Sequence, residues 1–170
     1  MVSVAAFAQG VVVFNNRVGT EVYARVLLPD GTGVGAWFRA QLYAGPEGTP
    51  LSALTPLFPV TTFRTSSQAS QGYVNSVDVT IPNLSPGEKA TFVMKAYNGS
   101  DFESSQAKGE SEPFIVMVGG GNLPPTNLVG LKGFGVAGTG PGTDVEPFPE
   151  PSSITLALLG SVVLLFCRRG

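Results

Sequence analysis

Glycine and proline interrupt this chain at short intervals, and their spacing restricts its fold more than any other feature. There are 22 glycines and 14 prolines among 170 residues, so few segments could continue through several turns of a helix. Between these interruptions lie short runs in which apolar and polar residues alternate, which is the pattern of a strand with one buried face. In residues 21–28, for example, Val22, Val26 and Leu28 fall on the same face. The sequence therefore predicts an all-β fold.

We expect residues 9–134 to form one domain, an antiparallel β-sandwich of about seven or eight short strands in two sheets. This body contains no cysteine, so its apolar core must supply the stability that disulfides give to many small exported domains. The predicted core residues are Val22, Val26, Phe38, Leu42, Val79, Phe92 and Met94. Alternation in the same strands places Arg39, Gln41, Lys95 and Tyr97 on the opposite, outward face.

The composition argues against most catalytic chemistry. The chain has no histidine, and its single cysteine, Cys167, lies in an apolar run near the end. The body therefore lacks the commonest general base, the commonest metal ligand and any thiolate nucleophile. Ten basic residues stand against 12 acidic ones, and the pI is about 5.0, which offers no basic surface for nucleic acid. We predict a protein that is not an enzyme, needs no cofactor and binds no nucleic acid.

Two groups of side chains are weaker candidates for a site. The acidic residues Asp101, Glu103, Glu110 and Glu112 could bind Ca²⁺ through carboxylate oxygens, but their spacing matches no calcium loop. Solvated charges on a loop are the favoured interpretation. Paired carboxylates could also hydrolyse glycosides, although nothing in the sequence sets one pair apart.

The second group is aromatic, and it consists of Tyr23, Trp37, Tyr43 and Tyr97. These rings could stack on sugars if they share an exposed face, but packing in the core or at an edge is favoured. The glycine-rich run at residues 30–35 joins two predicted strands, so it indicates a turn and not a phosphate-binding loop. Thr61, Thr62 and Thr65 are too few and too irregular for an ice-binding array.

Both ends of the chain have the composition of processing segments. Ala6-Phe7-Ala8 matches a signal-peptidase site, so residues 1–8 are predicted to be the remnant of a signal peptide; the alternative is an apolar first strand. Residues 135–148 are predicted to be a flexible Gly/Pro-rich linker. Residues 154–167 are apolar except for Thr155, Gly160 and Ser161, and we expect one transmembrane helix there. Its length of about 21 Å is marginal for a bilayer core of about 30 Å.

Residues 84–98, with the sequence LSPGEKATFVMKAYN, resemble the E–F corner and F strand of fibronectin type III and related immunoglobulin-like domains. That pattern usually has a tyrosine where this chain has Ala90. The resemblance therefore implies the sandwich architecture and not membership of the family.

The C-terminal segment, residues 149–170, resembles the PEP-CTERM sorting signal. Pro149-Glu150-Pro151 is followed by the apolar run and then by Arg168 and Arg169, in the order that this signal requires. The resemblance implies an exported protein of a Gram-negative bacterium, anchored transiently in the inner membrane. It also implies recognition by an exosortase, which is an integral-membrane enzyme resembling cysteine proteases, and a possible association with exopolysaccharide. Arg168 and Arg169 would stay in the cytoplasm under the positive-inside rule.

Taken with the composition, the resemblance indicates a non-enzymatic protein of the cell envelope or extracellular matrix, with a structural or adhesive role. Two other functions stay open at the level of the sequence. One is a surface module that binds polysaccharide, calcium or ice. The other, less favoured, is a small glycoside hydrolase that uses carboxylates.

Overall fold

The computed structural model describes residues 9–138, and this part of the chain is all β, with several sheets and no α-helix. The prediction of an all-β body is therefore confirmed. One 3-10 turn covers Leu51–Ala53. The strands are β1 Gly10–Phe14, β2 Arg17–Val18, β3 Val22–Tyr23, β4 Val26–Leu27, β5 Arg39–Pro46, β6 Thr55–Pro56, β7 Thr61–Thr62, β8 Val77–Ile81, β9 Lys89–Tyr97, β10 Lys108–Glu110, β11 Phe114–Met117, β12 Thr126–Asn127 and β13 Phe134–Gly135.

Strands β5 and β9 form the centre of a six-stranded sheet. They pair antiparallel over eight residue positions, from Arg39 opposite Tyr97 to Pro46 opposite Ala90. Strands β10 and β11 both pair with the other edge of β9, while β6 and β7 both pair with the other edge of β5. Each outer position of the sheet is thus filled by two short strands and not by one long strand.

The second sheet has the order β12-β1-β8. Strands β2 and β3 form a separate two-stranded sheet, and so do β4 and β13. Most pairs are antiparallel, as predicted, but β12 runs parallel to β1 and β13 runs parallel to β4. A parallel pair needs a long connection between its strands. The chain provides one in both cases, because these last two strands return to the first part of the domain.

The predicted core is confirmed. Val22, Val26, Phe38, Leu42, Val79, Phe92 and Met94 are all buried, none more than 4% exposed. Across the two central strands Ala44 lies opposite Phe92 and Leu42 lies opposite Met94, and all four side chains are buried.

Tyr97 and Gln41 are among the side chains on the outward face that are buried, although alternation alone would expose them. Tyr97 is 2% exposed and Gln41 is 6% exposed. The Tyr97 hydroxyl donates a hydrogen bond to Gln41 Oε1 at 3.2 Å, and Gln41 Nε2 donates to the carbonyl oxygen of Leu57 at 3.1 Å. The ring of Phe102 packs edge-on against Tyr97 with centroids 6.2 Å apart. The loop after β9 therefore covers this part of the sheet, which no pattern within the strand could indicate.

The domain continues beyond Phe134, where the sequence analysis placed its end. Val136 N donates to the carbonyl oxygen of Leu27 at 2.9 Å, and Ala137 exchanges two backbone hydrogen bonds with Lys108, each 2.9 Å. Residues 135–137, assigned to the linker from their composition, thus pair with β4 and β10. A Cβ at Gly109 would collide with the carbonyl oxygen of Gly135, so a glycine allows this close approach.

The other predicted segments lie outside the described residues. They are the signal-peptide remnant at 1–8, the rest of the linker from 139 to 148, and the tail at 149–170 with its apolar helix at 154–167.

A fully buried asparagine joins three parts of the chain. The Asn16 carboxamide Nδ2 donates to the carbonyl oxygens of Ala24 at 2.6 Å and Gly72 at 2.9 Å. Its Oδ1 accepts a hydrogen bond from the N–H of Val74 at 2.8 Å. Asn16 thereby holds the segment at residues 65–76 against β3 and β4, and both ends of its amide are satisfied.

We expect Asn16→Asp to destabilise the domain by about 3 kcal/mol or more, because a buried carboxylate would face two carbonyl oxygens and lose both donors. The matched control is Asn75→Asp, which makes the same charge change at an exposed position. Urea unfolding of both variants measures the difference. Equal and small losses of stability would show that Asn16 is not a structural link.

Candidate functional site

The predicted sorting residues lie outside the described part of the chain. They are Pro149, Glu150, Pro151, Arg168 and Arg169, and their role stays a prediction. Among residues 9–138 no helix is long and apolar enough to cross a membrane.

The aromatic candidates do not form one strip. Tyr23 and Trp37 are exposed, at 66% and 77% respectively, whereas Tyr97 is buried. Tyr43 is half-buried, with the ammonium nitrogen of Lys95 4.4 Å from its ring centroid. Burial raises the pKa of both Tyr43 and Tyr97. Tyr97 thus packs within the fold, and only Tyr23 and Trp37 present largely exposed rings.

Three of the four acidic candidates are engaged with other groups of the domain, whereas Glu103 is exposed and contributes only its backbone oxygen, to Lys108. Glu112 forms an ion pair with Lys132 at 2.9 Å, and Glu110 forms one with Lys95 at 3.6 Å. Within residues 9–138 no three acidic, cysteine or histidine side chains meet in a group that could hold a metal ion.

Asp101 closes a serine-rich turn. Its carboxylate accepts hydrogen bonds from the Ser104 hydroxyl at 2.7 Å, the Ser104 N–H at 2.9 Å and the Ser100 hydroxyl at 3.0 Å. These bonds, with the Ser104 hydroxyl contributing most, hold the pKa of Asp101 at about 2. The charge of Asp101 therefore serves the turn locally.

The glycine-rich run at residues 30–35 is a turn, as predicted. Asp30 Oδ1 accepts hydrogen bonds from the Thr32 hydroxyl at 2.6 Å and the Thr32 N–H at 2.8 Å. These bonds lower the pKa of Asp30. Gly31 has a φ of 81°, a conformation that favours glycine.

A group of arginines surrounds the segment at residues 65–76, and no pattern in the sequence indicates it. Arg25 donates from Nε to the carbonyl oxygen of Gln71 and from Nη2 to that of Gln68, both at 2.9 Å. Arg64 donates from Nε to the carbonyl oxygen of Val74 at 2.8 Å.

Arg17 extends the same surface. Its guanidinium carbon lies 4.8 Å from the ring centroid of Tyr73 and 5.3 Å from that of Tyr23. The ion pairs found within residues 9–138 all use lysines, so these arginines are held by neutral groups. Sequence spacing could not have revealed the group as a whole, because Arg25 meets carbonyl groups 43 and 46 residues away.

A polar pocket of about 340 Å³ opens beside Arg25. Its lining includes Thr32, Gln68 and Gln71, and Arg25 is its only charged member. A Cβ at Gly33 would collide with the carbonyl oxygen of Gln71, so a glycine is needed where the two walls meet. The pocket offers hydrogen-bond donors and one positive charge, which suits binding and not acid–base catalysis.

No family model, curated protein or solved structure matches this chain. The two family resemblances in the sequence therefore remain predictions.

We expect Ser104→Ala to raise the pKa of Asp101 from about 2 toward the ordinary aspartate value, because the largest stabilising hydrogen bond is lost. Ser100→Ala should raise it by less. Because the pKa is lowered in the folded state, the contribution of Asp101 to stability is complete above its ordinary pKa. It is lost as the pH falls through about 2.

A carboxyl ¹³C NMR titration of the three proteins measures these values. An unchanged Asp101 pKa in Ser104→Ala would contradict the assignment of the turn.

Proposed function

We propose that this chain is an exported, non-enzymatic protein of the cell envelope or extracellular matrix, which is sorted through its C-terminal tail and associates with polysaccharide. One observation carries the proposal. Pro149-Glu150-Pro151, the apolar run at 154–167 and the terminal Arg168-Arg169 occur in the order of a PEP-CTERM signal.

The proposed architecture is a two-sheet sandwich of the immunoglobulin or fibronectin type III kind. Its support is the shared core, in which Val12 and Val79 of one sheet and Leu42 and Phe92 of the other belong to a single cluster of buried residues. The central strand β9 coincides with residues 89–97 of the segment that resembles the F strand.

The proposed partner of the tail is an exosortase in the inner membrane. An apolar helix over 154–167 would be about 21 Å long, against about 30 Å for the bilayer core. Such a helix suits a substrate that is held briefly better than a permanent anchor. Pro149 and Pro151 favour extended backbone before them, which is the conformation in which a protease binds its substrate.

Calcium binding and glycoside hydrolysis have less support. A calcium role would need several free carboxylates, yet three of the four candidates are engaged, Glu110 and Glu112 with lysines and Asp101 with serines. A hydrolase would need one carboxyl group with a raised pKa, whereas the pKa values of Asp30, Asp101 and Glu112 are lowered. A polysaccharide-binding role is favoured by the exposed ring of Tyr23 beside the arginines.

We expect the protein from its native host to have lost the apolar run and Arg168-Arg169, because cleavage at the tail would release the body from the membrane. Intact-mass analysis of the mature protein measures this directly. Glu150→Ala should leave the chain uncleaved, while Pro147→Ala, a change just outside the motif, should not. A wild-type mature chain that still ends at Gly170 would show that the tail is an ordinary anchor.

A further inference from the structure

We propose that the pocket beside Arg25 binds the carboxylate of an acidic sugar, a uronate residue within a polysaccharide chain. The inference rests on the proposed association with polysaccharide and names the chemical class of the ligand. Four features carry it: how Arg25 is held, the charges around it, the lining of the pocket and the neighbouring ring of Tyr23.

Arg25 is fixed in position without being neutralised. Its two hydrogen bonds, both 2.9 Å, go to the backbone carbonyl oxygens of Gln71 and Gln68. No carboxylate of residues 9–138 lies within ion-pair distance of it. The guanidinium keeps its full charge and has N–H donors left over, and a carboxylate is the group that this planar donor set binds best.

The surroundings of Arg25 contain a second arginine and one carboxylate, Asp30, which lies just outside the pocket. The charges of Arg17 and Arg25 both act on the phenol of Tyr73, where they oppose the increase in pKa that burial causes. Asp30 is the carboxylate of the adjoining turn, but it is not part of the pocket lining. Its Oδ1 accepts the N–H and the hydroxyl of Thr32. An anion entering the pocket would thus meet a fixed positive charge.

The remaining lining suits the hydroxyl groups of a sugar. Thr32 gives its hydroxyl hydrogen to Asp30, so the Thr32 oxygen is left to accept a hydrogen bond from a ligand. Gln68 is exposed at the edge of the pocket, and a carboxamide can both donate to and accept from a hydroxyl. An acidic peptide would supply the carboxylate but not a matching row of hydroxyls.

An exposed aromatic ring lies on the same strand segment. Tyr23 is two residues before Arg25, and its side chain is 66% exposed. Its ring packs at 5.6 Å against Tyr73, which directly follows the glycine after Gln71. Arg17 also lies over this ring, and the exposed part of Tyr23 is left for a neighbouring sugar of the same polysaccharide to contact. The surface therefore offers a charged subsite and an adjacent aromatic contact.

Calorimetry on the full chain in a non-ionic detergent tests the inference, with hexagalacturonate as the probe and its methyl ester as the uncharged counterpart. We expect the acid to bind about tenfold or more tightly than the ester, because the ester cannot form the charge-assisted bonds. Arg25→Gln and Gln68→Glu should each weaken binding of the acid by about tenfold or more. Gln68→Glu keeps the backbone carbonyl that holds Arg25, so this variant tests the pocket without removing that support.

Two control variants change the net charge by the same amounts outside the pocket. Arg39→Gln and Gln106→Glu both lie at exposed positions, and each should leave binding within about twofold of wild type. Urea unfolding of all four variants checks that the domain is intact.

Several results would overturn the inference. The first is that hexagalacturonate does not bind, and the second is that its methyl ester binds equally well. The third is that the pocket and control variants lose equal affinity, which would indicate diffuse charge attraction. Polyglutamate binding that depends equally on Arg25 would assign the pocket to an acidic peptide. None of these results bears on cleavage of the tail, so the mass analysis still tests the proposed sorting independently.

Discussion

The surface around Arg25 depends on the hydrogen bonds of the buried Asn16 side chain. They hold Gly72 and Val74 against the first strands, and Gly72 in turn donates to Val34 and accepts from Val26. Gly72 has a φ of 83° and approaches Val26 so closely that a Cβ would collide with its carbonyl oxygen. The carbonyl groups that fix Arg25 belong to the residues just before Gly72. The position of the arginine therefore follows from a buried amide on the other side of the segment.

A similar use of polar side chains maintains the six-stranded sheet where its outer strands are broken. Ser111 separates β10 from β11, and its hydroxyl accepts a hydrogen bond from the N–H of Met94 at 3.0 Å. Gln41 bonds to Leu57 in the gap between β6 and β7. In both places a side chain satisfies a backbone group that a continuous strand would have paired. Buried polar side chains thus pair backbone groups at the two breaks between the short outer strands.

The sequence was sufficient to predict what depends on local pattern. Alternation identified Leu42, Phe92 and Met94 as core residues, because a half-buried strand repeats every two residues. It could not predict the burial of Tyr97, which results from a loop folding over the outer face of its strand. Nor could it predict the group of arginines around residues 65–76, since Arg25 meets carbonyl groups 43 and 46 residues away. Contacts of that separation depend on topology, and the periodicity of one strand contains no information about them.

The lysines that form ion pairs and Arg25 differ in the groups that hold them. Lys89, Lys95 and Lys132 each lie within 4 Å of a glutamate, so their charges are partly compensated at the surface. Arg25 is instead bonded to neutral carbonyl groups, which hold a guanidinium in place but cancel none of its charge. If Arg25 only fastened a loop, a carboxylate partner would hold it more strongly, since charge-assisted pairs exceed neutral hydrogen bonds. An arginine without a carboxylate partner beside a pocket is the arrangement expected of the anion site proposed above.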